Sequence, residues 1–218
     1  MGEPVKKWAI FDLDGTLIPL PSAEWRFACH LYRQGVLDFS HLLNYARFLL
    51  KHWSELGLDA RRINKAYLKG FSEQDIQRLA ADFVERFILP IIRPKTLKAL
   101  REHQRRGELV VLLSGTMAPI AKALARHLDI SAVIATEASI ENGRYTDRPP
   151  IIHPYGKRKK QLAEQFAMER GLSLADATIY ADVFADSAIL AAAGQAVATY
   201  PSAKLRQVAQ KHAWKILE

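Results

Sequence analysis

The chain has 218 residues, 49% of them apolar, enough to bury one core with room for an insertion, which excludes an intrinsically disordered chain. Its single cysteine, Cys29, excludes an internal disulfide, and no stretch is long and apolar enough to span a membrane. The formal charge of +8 would suit anionic partners, but the one dense basic cluster, Lys157 to Lys160, has no interleaved aromatics, so nucleic acid is not an expected partner.

The first residues, MGEPVKKWAIFDLDGT, lack the apolar h-region of a secretory signal, and a soluble cytoplasmic protein is expected. Residues 8–12, WAIFD, form an apolar run that ends in an acid, the pattern of a buried parallel strand whose C-terminal end meets solvent. Residues 22–90 break that rhythm: they contain no strand pattern and read as four helices over 22–34, 39–56, 59–69 and 73–88, with Asp59 and Ser72 as N-caps. The stretch LLNYARFLLKHW at 42–53 is apolar over most of its circumference, as in the core of a small helical bundle. Such a face could also take an acyl chain or touch a membrane surface peripherally. From residue 95 onward, helical patterns over 95–106, 118–128, 157–170 and 185–193 alternate with strand patterns over 109–114, 132–136, 178–182 and 196–199. Asn142-Gly143 marks a two-residue hairpin turn. The predicted fold is therefore α/β, a Rossmann-like parallel sheet flanked by helices, with a helical insertion after the first strand.

In such sheets ligands sit outside the carboxyl ends of the strands. Three predicted strands end in groups suited to phosphoryl chemistry: Asp12-Leu13-Asp14-Gly15-Thr16, then Ser114-Gly115-Thr116, then Asp182 with Asp186 four residues on. Lys157 opens the helix before the last of these. Asp12 and Asp14 are two positions apart, so one carboxylate can attack while the other handles protons. A phosphoryl group beside several acids needs its charge offset, most simply by Mg²⁺ on hard oxygen ligands. Ser114, backbone N–H groups near Gly115 and Lys157 would bind phosphoryl oxygens.

The segments FDLDGT, LLSGT, GK and YADVFAD resemble the four motifs of the haloacid dehalogenase superfamily of phosphohydrolases, and the helical insertion resembles the type-one cap of its phosphoserine-phosphatase-like branch. The resemblance runs from about residue 7 to the end. It implies a core of residues 1–20 and 91–218 with a cap of 21–90. It implies a Mg²⁺-dependent phosphatase acting on a small organic phosphomonoester, with an amino-acid-like, histidinol-phosphate-like or lysophospholipid-type alcohol. Asp12 would be the nucleophile and Asp14 the general acid/base. Asp12, Asp14 (through its carbonyl), Asp182 and Asp186 would hold the metal. Thr16, Ser114, Gly115 and Lys157 would serve the phosphate, with Lys159 and Lys160 as rivals of Lys157. In the cap, Glu24 could meet an ammonium and Arg26 a carboxylate. The fourth motif departs from the usual pattern at Val183, where a serine is typical, which suggests slower catalysis or weaker metal binding. Transfer of the phosphoryl group to an alcohol, or a binding protein of weakened turnover, are the alternatives.

Overall fold

The computed structural model describes residues 7–57 and 59–218; the first six residues, on which the reading of the chain start rests, lie outside it, as does Leu58. The first strand, β1 (Trp8–Phe11), is buried along its whole length. Then come helices α1 (Ala23–Arg33), α2 (Phe39–Leu56), α3 (Asp59–Ile63) and α4 (Glu73–Phe83), all before the next strand. Helix α5 (Pro94–Arg105) leads into β2 (Leu109–Met117), followed by α6 (Ala118–His127) and β3 (Ala132–Thr136). A hairpin of β4 (Ile140–Glu141) and β5 (Arg144–Tyr145) turns at Asn142 and Gly143, with φ of 50° and 73°, the left-handed pair that the two-residue turn demands. The chain then runs through α7 (Lys157–Met168), β6 (Ala177–Ala181), α8 (Ser187–Leu190), β7 (Gln195–Thr199), α9 (Ala203–Lys211) and β8 (Lys215–Leu217).

The six long-range strands form one parallel sheet in the order β3-β2-β1-β6-β7-β8. Alternate residues of β1 divide between its faces: Ala9 and Phe11 enter the cluster shared with α1, α4 and α6, while Trp8 and Ile10 enter the one under α7, α8 and α9. Burial on both faces is why these strands are continuous apolar runs. The chain leaves β1 in one direction to build β2 and β3, then returns to β1's other side for β6. The crevice at that switch lies at the carboxyl ends of β1, β2 and β6.

The insertion sits over this end. Phe27 and Leu31 of α1 and Phe83 of α4 are fully or almost fully buried in the same cluster as Leu112 and Leu124, so its base is continuous with the core. Truncating Phe27 or Phe83 to alanine would remove about 3–5 kcal/mol. Helix α3 differs from expectation. The segment predicted as one helix over 59–69 stops at Ile63, because Asn64 bonds Tyr45 O through its amide and accepts from Ala66 N, a local competition that ends the α-turns before a 3-10 turn at Ala66–Leu68. Asp59 opens α3 as its first residue instead of capping it. Ser72 does cap α4, accepting from Asp75 N at 3.1 Å, while Asp75 answers through its carboxylate to the Ser72 hydroxyl. The terminal strand β8 carries no periodic signal long enough to read, being three residues at a sheet edge.

Candidate active site

Asp12 follows β1 immediately, its N–H bonded to Tyr180 O of β6, which fixes it where the two strands diverge. The chain then turns tightly: Gly15 N bonds Ile18 O, and Thr16, Leu17 and Ile18 N–H groups all return to Leu13 O. Gly15 has φ +85°, and a Cβ there would lie 2.0 Å from Asp182 Oδ2. Only glycine permits both the left-handed backbone and the approach of the β6 carboxylate to the β1 turn. Thr16 is fully buried and donates its hydroxyl to Asp182 Oδ1 at 3.4 Å, so it ties the two acidic loops together.

Asp14 points toward the insertion. Its Oδ1 accepts the N–H of Ala23, the first residue of α1, at 2.6 Å, and its Oδ2 accepts the Thr116 hydroxyl at 2.5 Å. Burial pushes its carboxyl above the ordinary range, against those two bonds. Nothing local distinguishes Thr116 within the Ser-Gly-Thr triplet; its bond to Asp14 forms only because β2 lies beside β1. Ser114 is buried at the same strand end and its Oγ accepts from Thr116 N. Gly115 O accepts from the Thr136 hydroxyl at 2.5 Å, and Thr136 Oγ1 lies 2.8 Å from His153 Nδ1. Because the single hydroxyl proton goes to the carbonyl, His153 donates from Nδ1, and its buried Nε2 has no partner among the described residues.

The lysine that reaches Asp12 is Lys159, not Lys157. Lys157 is the first residue of α7 and is exposed; one further half-turn swings Lys159 inward, where it is 5% exposed. Its Nζ reaches Asp12 Oδ1 at 3.0 Å and Asp186 Oδ2 at 2.7 Å. Burial favours the neutral amine, but Asp12 and Asp186 outweigh it and hold the ammonium above the usual lysine range. Burial, with the crowding of Asp186, Asp182 and Asp14, pushes the Asp12 carboxyl up despite Lys159. Asp182 is pushed up to about 6, by burial first and by Asp186 among its neighbours. Four carboxylates here face one buried cation.

This crowding bears on a metal. Among the described residues no three His, Cys, Asp or Glu side chains are grouped to hold one, so the expected acids do not all converge as side-chain ligands. Asp186 is engaged by Lys159 and the Asp14 carboxylate by Ala23 and Thr116. Asp12 and Asp182 remain, two hard carboxylates whose mutual repulsion a divalent cation would relieve. One or two carboxylates, with water and substrate oxygens, are what Mg²⁺ accepts. The donor set fits.

The two cap expectations are both corrected. Glu24 is committed inside the protein: Lys65 Nζ donates to its two oxygens at 2.7 and 2.8 Å and to Arg62 O at 3.0 Å, using all three ammonium protons. Lys65 is 2% exposed, so its charge could be buried only with such a partner. Arg26 folds back on the turn before α1, donating to Pro21 O at 2.9 Å and Leu20 O at 3.1 Å. It does not line the site.

A cavity of about 860 Å³ opens over these groups. Asp12, Asp14, Ser114 and Lys159 form its floor, and α1, α2 and the segment around Arg61 to Tyr67 form its walls.

A family model for haloacid dehalogenase-like hydrolases matches residues 9–191. The chain belongs to that family. It is 29% identical over 215 residues to phosphoserine phosphatase SerB1 of Mycobacterium tuberculosis, covering 95% of this chain and 69% of the relative. It is 26% identical over 220 residues to a histidinol-phosphatase of Neisseria meningitidis, covering 98% and 99%. Among solved structures, a Bordetella pertussis protein of unknown function superposes with a TM-score of 0.84 at 26% identity, covering 99% of each chain. The enzyme class read from the sequence, a phosphatase-type hydrolase, is the one to which these named relatives belong, and no helix among the described residues is long and apolar enough to cross a membrane.

Proposed function

We propose that this chain hydrolyses a small organic phosphomonoester with Mg²⁺, through an aspartyl-phosphate on Asp12, the helical insertion of residues 21–90 acting as a cap on the core of residues 1–20 and 91–218. The observation that carries this reading is the Lys159 ammonium seated on the Asp12 carboxylate at 3.0 Å, with the Asp14 carboxylate two residues on, held at the start of α1. Asp12 and Asp182, with the main-chain carbonyl of Asp14, would hold Mg²⁺, which supplies charge neutralisation for the phosphoryl oxygens. An Asp12 oxygen attacks phosphorus; the new O–P bond forms as the ester P–O bond breaks, and the leaving alkoxide takes a proton from Asp14. Asp14 then removes a proton from water, whose oxygen attacks phosphorus and breaks the acyl-phosphate P–O bond, releasing inorganic phosphate and restoring Asp12. Lys159 and the Ser114 hydroxyl, with N–H groups of the Gly115 loop, bind the phosphoryl oxygens through both steps. Asp186 positions Lys159 and does not touch substrate. Thr16 and Gly15 position Asp182.

The test is phosphate release from a panel of phosphomonoesters with Mg²⁺ and with EDTA, for wild type and Asp12→Asn. Mg²⁺-dependent release should fall at least about a thousandfold in the variant. Full activity in a pure Asp12→Asn protein would remove Asp12 as nucleophile.

A further inference from the structure

The walls of the cavity have a composition that the floor chemistry does not require. Helix α1 carries two apolar stripes. Ala23, Phe27 and Leu31 are fully buried in the core. Trp25, Ala28, Cys29 and Tyr32, spaced i, i+3, i+4 and i+7, form a second stripe, and all four line the cavity. Trp25 is 62% exposed and Tyr32 59%, unusual for residues of this size without a partner. Leu20, Leu42 and Tyr155 complete the apolar surface, and Val183 extends it to the catalytic end in place of a hydroxyl.

The charges within this wall are already spent. Glu24 is paired with Lys65, which donates to both of its oxygens, and Tyr67 OH adds a third contact at 3.4 Å. His153, half-buried and donating to Thr136, is held neutral by desolvation and by Lys65. Arg62 is engaged by Asp59 at 2.7 Å and stacks over the Tyr155 ring at 4.5 Å. Arg33 and Arg61 are exposed where they line the cavity, so they sit at its mouth. An ammonium or carboxylate on the substrate's alcohol would enter an apolar chamber with no countercharge free inside it, a costly desolvation. The volume is also toward the upper end of the roughly 300–1,000 Å³ that encloses a drug-sized ligand.

We infer that the alcohol portion of the substrate is a bulky apolar group, an alkyl chain or aromatic system seated on the Trp25–Ala28–Cys29–Tyr32 stripe, and not a zwitterionic amino alcohol. This rests on the phosphomonoesterase reading and names its substrate class. The cationic mouth draws the phosphate in, the floor takes it, and the stripe takes the remainder.

The experiment compares kcat/KM for ethyl, hexyl and decyl phosphate, naphthyl phosphate and phosphoserine, alongside direct calorimetric binding of the matching alkylphosphonates, which are not hydrolysed. The expected result is a rise of about threefold to fourfold per added methylene until the chamber fills. Decyl or naphthyl phosphate should lead the series and phosphoserine should trail it. Ala28→Trp, which fills the stripe, should lower the decyl-to-ethyl ratio at least about tenfold. A flat chain-length series, or phosphoserine as the best ester, overturns the inference; release abolished by Asp12→Asn in that same experiment leaves the phosphatase reading standing. Absence of release from every ester, with phosphonate affinity still rising with chain length, keeps the apolar chamber and overturns the hydrolytic step. Absence of release with phosphonate affinity flat overturns both.

Discussion

The floor and the walls of the cavity solve opposite electrostatic problems. At the carboxyl ends of β1, β2 and β6, three buried acids and the half-buried Asp14 crowd around Lys159, leaving an excess of negative charge that a cation and a phosphoryl group would rebalance. In the insertion the half-buried Glu24 is neutralised within the fold by Lys65, and the wall between it and the arginines of the mouth is largely apolar. Charge left incompletely compensated is a site prepared for ligands of the opposite sign; charge compensated internally is structure. The contrast teaches that a charged residue near a catalytic centre is informative only after its partners are counted.

Removing the cation of each region breaks the comparison from both sides. Lys159→Ala should reduce phosphate release by about a hundredfold or more, while Lys157→Ala, on the exposed start of the same helix, stays within about twofold. Equal losses in the two variants, measured under saturating Mg²⁺, would mean that the buried ammonium is not the phosphoryl ligand. Lys65→Met should cost about 2–3 kcal/mol in urea unfolding, because it leaves the largely desolvated Glu24 carboxylate without its cation. Adding Glu24→Gln should return a large part of that loss, the double-mutant coupling that separates a sealed structural pair from a substrate-binding acid. If Glu24→Gln alone instead abolished activity without touching stability, the pair would belong to the floor's chemistry.

The smallest effect comes from the histidine between the two regions. Burial, then Lys65, holds His153 down at about 4 against an ordinary 6.5, so the fold binds the neutral form. Its contribution is complete above pH 6.5 and is lost as pH falls toward 4, where the unfolded chain takes up a proton that the folded chain refuses. The loss amounts to about 3 kcal/mol over that window. Denaturation curves at pH 7 and pH 4.5 should converge more closely for His153→Gln than for wild type. Parallel acid limbs would mean that His153 titrates normally.

Much of the floor was legible because its residues sit at strand ends, and a strand end is marked locally by an apolar run that meets an acid or a hydroxyl. Asp12, Ser114 and Asp182 were found this way, and all three stand at one end of the sheet. Thr116 escaped notice because what distinguishes it is a bond to a residue 102 positions away. The misplacement of the lysine has a similar cause: a Lys-Arg-Lys-Lys run at a helix start offers cations on every side, and only the packing of α7 against the sheet selects the one facing inward.

By itself, the sequence determined the alternation of strands and helices, the helical insertion, the hairpin at Asn142-Gly143 and the acids at the strand ends, since each is written in neighbouring residues through periodicity, turn stereochemistry or strand-end position. Tertiary structure alone decided which lysine meets Asp12, that Glu24 is sealed by Lys65 41 residues away, and that Arg26 turns back to its own chain. It also decided that α1 turns a second apolar stripe to the cavity, with Ala28 bridging it to the core. These are matters of partner choice, and a charge or an apolar face in a linear chain does not carry the identity of the group that will cover it.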